Sequence, residues 1–501
     1  MDRSVFVLGL VPSVSSYSEF RNLLVNTSQG LVHGIQVNDN VNAFLGLPYA
    51  EPPVGELRWK PPQPLRASKG HDIFDASHFG NSCYQFQYAL FYDPSRPDTD
   101  LYGSPTPQSE DCLTLNVFVP RSTPSQGNKS MPVFVWQHGG GFVEGSSSLP
   151  IYNASKFVEE ARDIIVVTTN YRMSLFGFPN TPGLPPDGQN LGIRDQRAAL
   201  EWVRDNIAAF GGDPDRIVHG GQSAGAGITD VLAYQYPEDP IFKGIVLQSG
   251  TVQLVNFQQY TTDSEFIRVA KNVGCTNNSN RKQELECMKT IRFHRLSTAI
   301  SNKSINAYGD PNGGSPCVDN VTVFSREEYI NRTLNGRFAR VPTLLGVMDR
   351  EGDAVTDIGP NGPDRTQSDR ITNFTFNCPA ALSATGRAAH GVPVWRYRFM
   401  GVFPSVTPLQ TLGAYHGADV PFLWGTLKPI DPNTHVQPNE IAASKYLMAA
   451  FAAFVRDPEA GLIRHFQWPT YDEDKRTLIE LFRNETPAAA LVDPKPYDVT
   501  C

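Results

Sequence analysis

The feature that most constrains this chain is a series of short, unbroken apolar runs separated by helical patterns. Val133–Trp136 (VFVW) and Ile164–Thr168 (IIVVT) lack polar alternation, as strands covered on both faces require. Arg216–His219, Gly244–Gln248 and Pro342–Val347 read as further strands. Between them, Ile193–Phe210 sets Leu200, Val203, Ile207 and Phe210 on one helical face. Gly211 and Gly212 follow, where a helix C-cap favours glycine. Ala442–Val455 reads as another helix, with Leu447, Phe451, Phe454 and Val455 on one side. Val394–Phe399 (VWRYRF) alternates, which predicts a less covered strand. Strands interleaved with helices predict an α/β chain whose mostly parallel sheet is flanked by helices.

A length of 501 residues is enough for several cores. No linker, low-complexity run or internal repeat divides the chain, so one domain over residues 17–501 is expected. Asn302–Val318 is the most loop-like stretch and reads as a surface loop or pocket wall. The formal charge is −8 and the basic residues are scattered, so nucleic acid is not an expected partner. No apolar run reaches the length of a membrane-spanning helix. The apolar stretch Val5–Val14 and the small residues after it read as a cleavable leader over residues 1–16. Asp2 beside Arg3 weakens its basic start, and an ordinary N-terminal segment is the alternative.

Nine N-x-S/T sequons stand at Asn26, Asn128, Asn153, Asn277, Asn302, Asn320, Asn331, Asn373 and Asn484. That is a generous number for a cytosolic chain. None of the seven cysteines forms C-x-x-C, which disfavours zinc and thioredoxin chemistry. Cys83 and Cys112 enclose a polar, aromatic loop, and Cys275 and Cys287 flank a polar segment. Disulfides there, or reduced buried thiols, both fit that placement. Sequons and cysteines together predict secretion or passage through a secretory lumen.

Chemistry concentrates in two glycine-rich turns. Gly220-Gly221-Gln222-Ser223-Ala224-Gly225-Ala226 follows the strand RIVH and precedes a helical pattern. A G-x-S-x-G core in that setting sits on a sharp strand-to-helix turn, which needs small neighbours and lifts Ser223 above the sheet. The helix start then aims the Ala224 N–H at developing negative charge. The strand VFVW runs into Gln137-His138-Gly139-Gly140-Gly141-Phe142. Consecutive glycines after a buried strand free backbone N–H groups for an oxyanion, with Gly140 and Gly141 as the expected donors beside Ala224. No G-K-[ST] follows, so a phosphate loop is disfavoured.

With both turns placed, the chain resembles the type-B carboxylesterase family, which includes the cholinesterases. Phe44–Trp59, Ser109–Val117, Asn170–Phe178, Asn190–Gly212 and Leu247–Gly250 carry the likeness further, over residues 25–455. The resemblance implies the α/β-hydrolase fold and a Ser-Glu-His triad. Its G-x-x-x-x-E-G pattern falls on Gly346–Gly352 and nominates Glu351 as the acid. On chemistry alone Asp349 and Asp353 rival it. Four histidines follow Glu351, namely His390, His416, His435 and His465, and the family's late His-Gly motif selects His416. Gln222 and Ser249 are expected behind the site.

The resemblance also implies bonds Cys83–Cys112, Cys275–Cys287 and Cys378–Cys501, leaving Cys317 as a thiol in a segment that lines the pocket in relatives. Two departures matter. The Cys83–Cys112 loop carries Tyr84, Phe86, Tyr88, Phe91, Tyr92 and Tyr102 but no tryptophan, and Gln222 replaces the cholinesterase glutamate. Both argue against a quaternary ammonium substrate.

The implied activity is hydrolysis of a small-molecule carboxylic ester through an acyl-enzyme, with no metal or organic cofactor. Acyl transfer to an alcohol or amine uses the same triad. A catalytically silent recognition protein is a remoter reading, because every triad position is intact.

Overall fold

The computed structural model describes residues 23–65, 73–85, 106–121, 130–254, 264–301, 314–407, 409, 411–429 and 435–501. The leader expected at 1–16, the sequons Asn128 and Asn302, and the aromatics Phe86, Tyr88, Phe91, Tyr92 and Tyr102 lie outside them.

An eleven-stranded sheet organises these residues. In chain order its strands are β1 (Ile35–Asn38), β2 (Val41–Pro48), β3 (Thr114–Pro120), β4 (Met131–Gln137), β5 (Ile165–Thr169) and β6 (Gly212–Gln222). Then come β7 (Gly244–Gln248), β8 (Thr343–Met348), β9 (Val394–Phe399), β10 (Leu478–Leu481) and β11 (Ala489–Val492). The spatial order is β11-β10-β9-β8-β7-β6-β4-β5-β3-β2-β1. The strands from β5 across to β10 run parallel. The flanking pairs β10–β11, β5–β3, β3–β2 and β2–β1 are antiparallel. This is the mostly parallel mixed sheet that the apolar runs predict.

Pleating explains why the central strands read as continuous apolar runs. Val133 and Val135 of β4 enter one hydrophobic cluster, while Phe134 and Trp136 enter the other. Helices α1 (Leu191–Asn206) and α2 (Ala224–Gln235) supply the first cluster with Leu200, Val203, Ile228 and Val231. On the opposite face, α3 (Pro438–Arg456) supplies Leu447, Phe451 and Phe454. Burial of each such side chain is worth about 1.5–3 kcal/mol.

Strand β9 corrects the expectation of a less covered strand, since all six of its residues are buried. Its alternating arginines are internal. Arg396 pairs with Asp498 at 2.6 Å and Arg398 with Asp349 at 2.8 Å. Two further strands, β10 and β11, lie outside it. Gly314–Val318 also departs from the surface-loop reading, because those residues are buried. Asn190 anchors them, donating to the Cys317 carbonyl at 2.8 Å and accepting from its N–H at 3.0 Å.

The shared sequence motifs turn out to be structural joints. Arg58 of the first and Glu110 of the second form a buried bidentate pair at 2.6 and 2.7 Å. Arg172 and Asp195 do the same at 2.8 and 2.6 Å. Breaking such a pair strands a buried charge, which costs about 3–5 kcal/mol. All three expected disulfides are present, at Cys83–Cys112, Cys275–Cys287 and Cys378–Cys501, and Cys317 is buried outside these bonds.

Candidate active site

The carboxyl ends of β4, β6, β7 and β8 meet on one side of the sheet, where parallel sheets place their ligands. Register brings Gln137 of β4 beside Gly221 of β6, and Gln222 beside Gln248 of β7. The turns that follow these strands are therefore neighbours.

Ser223 stands between β6 and α2 with φ 56° and ψ −124°. A non-glycine residue in that region stores strain, and such strain gathers at functional sites. Its N–H donates to the Gln248 carbonyl at 2.8 Å. The flanking glycines are required by crowding. A Cβ at Gly221 would lie 2.7 Å from the Gln137 oxygen, and one at Gly225 would lie 2.4 Å from it. Gln137 also clamps α2, donating to the Gly225 carbonyl at 2.6 Å.

The loop after β4 packs against this turn. Gly140 has φ 98° and Gly141 has φ 59°. A Cβ at Gly140 would meet the Glu144 carbonyl at 2.1 Å. Among the described residues, no backbone carbonyl accepts from the N–H groups of Gly140 or Gly141. Ala224 is the first residue of α2, so its N–H has no partner within the helix. His138 holds the loop from behind, stacked on Tyr171 with ring centroids 4.8 Å apart. Burial lowers its pKa to about 4, which keeps this ring neutral at pH 7.

Glu351 follows β8 and is fully buried. One carboxylate oxygen accepts the Met348 N–H at 2.8 Å, and the other accepts from His416 Nδ1 at 2.6 Å. A short bridge pairs Arg350 with Tyr415, bringing the two loops together. The rival acids face elsewhere. Asp349 binds Arg398, while Asp353 binds Arg365, Ser368 and the Gly413 N–H. Of the other late histidines, His390 bonds the Thr333 carbonyl, and His435 and His465 are exposed. The Nε2 of His416 faces the side-chain amide of Gln222 at 3.2 Å. Ser249 is buried with φ 53°, directly after β7.

Sequence reasoning assigned no role to the groups beneath His416. Asp419 is buried and accepts from Gln248 at 2.9 Å and from the Tyr397 hydroxyl at 3.0 Å. Gln248 is held in turn by the Trp136 indole at 3.0 Å. Asp419 stands three residues after His416 in the chain. Nothing in the sequence placed Gln248 or Tyr397 against it.

Burial, reinforced by the Glu351 charge and offset by those hydrogen bonds, pushes the Asp419 carboxyl up from 3.8 to about 6. The folded chain therefore holds a proton that the unfolded chain releases between about pH 4 and pH 6. The resulting destabilisation is absent below pH 4 and complete above pH 6, where it amounts to about 3 kcal/mol. Asp419→Asn keeps an acceptor for both donors and removes the charge. Urea unfolding should find the variant the more stable at pH 7.5, with the advantage vanishing near pH 4. An equal difference at both pH values would contradict this account of the group.

The profile of the carboxylesterase family matches residues 21–371 and 359–498, and the chain belongs to that family. The match extends past residue 455, where the motif resemblance stops, and takes in β10 and β11. It is a carboxylic ester hydrolase. A chlorogenic acid esterase of Aspergillus niger is 34% identical over 478 residues, covering 91% of this chain and 90% of that protein. A secreted lipase of Gibberella zeae is 34% identical over 492 residues, covering 92% and 90%. A cholinesterase of Mus musculus is 34% identical over 375 residues, covering 73% of this chain and 59% of its own.

Proposed function

We propose that the chain is a secreted serine carboxylesterase acting through Ser223, His416 and Glu351. The observation that carries this reading is the 2.6 Å contact of buried Glu351 with His416, whose Nε2 faces Gln222, the residue before a strained serine at a strand-to-helix turn. Glu351 fixes the proton on Nδ1 and leaves Nε2 to accept the Ser223 proton as the hydroxyl attacks the ester carbonyl. The N–H groups of Gly140, Gly141 and Ala224 take up the oxyanion, each worth about 3 kcal/mol. The imidazolium then protonates the departing alkoxide. In the second half, His416 activates water to release the acid. The Gln222 amide must yield Nε2 for the first step, and it places no formal charge beside the substrate.

For substrate, we infer a neutral or aromatic ester in place of a choline ester. Support comes from the uncharged Gln222 and from the likeness to a chlorogenic acid esterase and a secreted lipase. A secreted route, with a leader over residues 1–16 ahead of one domain as part of the proposal, fits the three disulfides and the exposed sequons Asn26, Asn320, Asn331 and Asn484. Asn153, Asn277 and Asn373 are half-buried and less open to a glycan. No helix among the described residues is long and apolar enough to cross a membrane.

The test is hydrolysis of p-nitrophenyl esters from acetate to palmitate, with chlorogenate and a choline ester alongside. Turnover of the neutral or aromatic esters with little on the choline ester is expected. A preference for the choline ester would overturn the substrate reading.

A further inference from the structure

One turn of the fold touches His416 and the loop that carries Glu351. Residues Thr372–Asn377 (TNFTFN) form a π-helical turn, with the Cys378 N–H reaching back to the Asn373 carbonyl. Such turns insert one extra residue into a helix and recur at functional sites. Two contacts leave this turn. At its start, Thr372 Oγ1 accepts the N–H of Gly352, the residue after Glu351, at 3.0 Å. Near its end, the buried Phe376 ring lies against the His416 imidazole, with centroids 4.7 Å apart and planes inclined by 39°.

The turn is fixed from behind. Asn377 donates to the Tyr497 carbonyl at 2.7 Å and accepts from Arg396 at 2.9 Å. Cys378 is bonded to Cys501. Thr372 and Phe376 are therefore held by the body of the protein and not by the loops they touch.

We propose that the turn Thr372–Asn377 is a positioning clamp for the catalytic acid and base, with Phe376 the positioning residue for His416 and Thr372 that for the Glu351 loop. This rests on the triad reading. During the reaction His416 becomes an imidazolium, and an aromatic ring beside an imidazolium attracts it. Phe376 thus favours that transient charge without adding a further anion to Glu351 and Asp419. The charged groups facing His416 are otherwise Glu351, bonded to Nδ1, and Asp419, whose charge reaches it from below. Gln222 at Nε2 is neutral.

The experiment measures kcat and KM for p-nitrophenyl acetate across pH 5–9 in Phe376→Leu, Phe376→Tyr, Thr372→Val and the Phe376→Leu/Thr372→Val double variant. Ser223→Ala is run beside them. Phe376→Leu should lower kcat about 10-fold with KM within about twofold, and move the acidic limb of the profile to lower pH. A packing defect alone would lower activity without moving that limb. Phe376→Tyr should restore most of kcat. Thr372→Val, nearly isosteric, should lower kcat several-fold, and the double variant should lose less than the product of the two.

Unchanged kcat and limb in Phe376→Leu, with Ser223→Ala inactive, would overturn the clamp and leave the serine esterase standing. Full activity in Ser223→Ala would overturn the triad reading instead. If Phe376→Leu does not fold, Thr372→Val decides: normal turnover overturns the clamp.

Discussion

Ser223→Ala should lose about 10⁴-fold or more of kcat while unfolding at the wild-type temperature. The serine hydroxyl is the attacking group, so its removal leaves only the oxyanion donors and substrate binding. Alanine keeps the Cβ and hence the same strained backbone at φ 56°. Its folded state is as strained as the parent's, and stability should barely move. Ser223→Gly separates the two properties. It is equally inactive, yet it should be more stable, because glycine relieves strain of about 1–3 kcal/mol. Kinetics and thermal unfolding of the two variants side by side provide the check. Equal stability of the two would mean that the turn is not strained as its dihedrals indicate.

Glu351→Gln should cost nearly as much, about 10⁴-fold in kcat, through a different route. Glu351 accepts two hydrogen bonds, from the Met348 N–H and from His416 Nδ1. A glutamine has one oxygen and one NH₂. The backbone N–H cannot turn away, so the amide oxygen stays on Met348 and the NH₂ faces Nδ1. His416 must then become the acceptor at Nδ1 and carry its proton at Nε2. That tautomer cannot take the serine proton. The volume hardly changes, so substrate binding should survive and KM should stay within a few-fold. A Glu351→Gln variant with more than about a tenth of normal kcat would remove Glu351 from the triad.

Much of this site was legible in the residues because its turns demand particular small side chains. Gly221 and Gly225 cannot carry a Cβ without striking the Gln137 oxygen, so the G-x-S-x-G pattern is a steric requirement. The same holds for Gly140 against Glu144. Strands β4, β5, β7 and β8 were legible because covering both faces favours unbroken apolar runs. Strand β9 misled for a physical reason: its arginines look solvent-facing until Asp498 and Asp349 arrive from distant chain segments. Choosing Glu351 over Asp349 and Asp353 needed the family pattern, since three carboxylates within five residues are chemically alike. Their separation is a matter of partners, each set by tertiary contacts. Phe376 had no signal at all. Forty positions and a π-turn separate it from His416 in the chain, and nothing in its composition marks an aromatic that will meet an imidazole.

The most direct measurement is rapid quenching of the enzyme in acid during turnover of p-nitrophenyl acetate, followed by peptide mass mapping. An acetyl group on the peptide containing Ser223, absent in Ser223→Ala and diminished in Glu351→Gln, is the predicted result. Full turnover with the label on another residue, or wild-type labelling in Ser223→Ala, would contradict the assignment of Ser223 as the nucleophile.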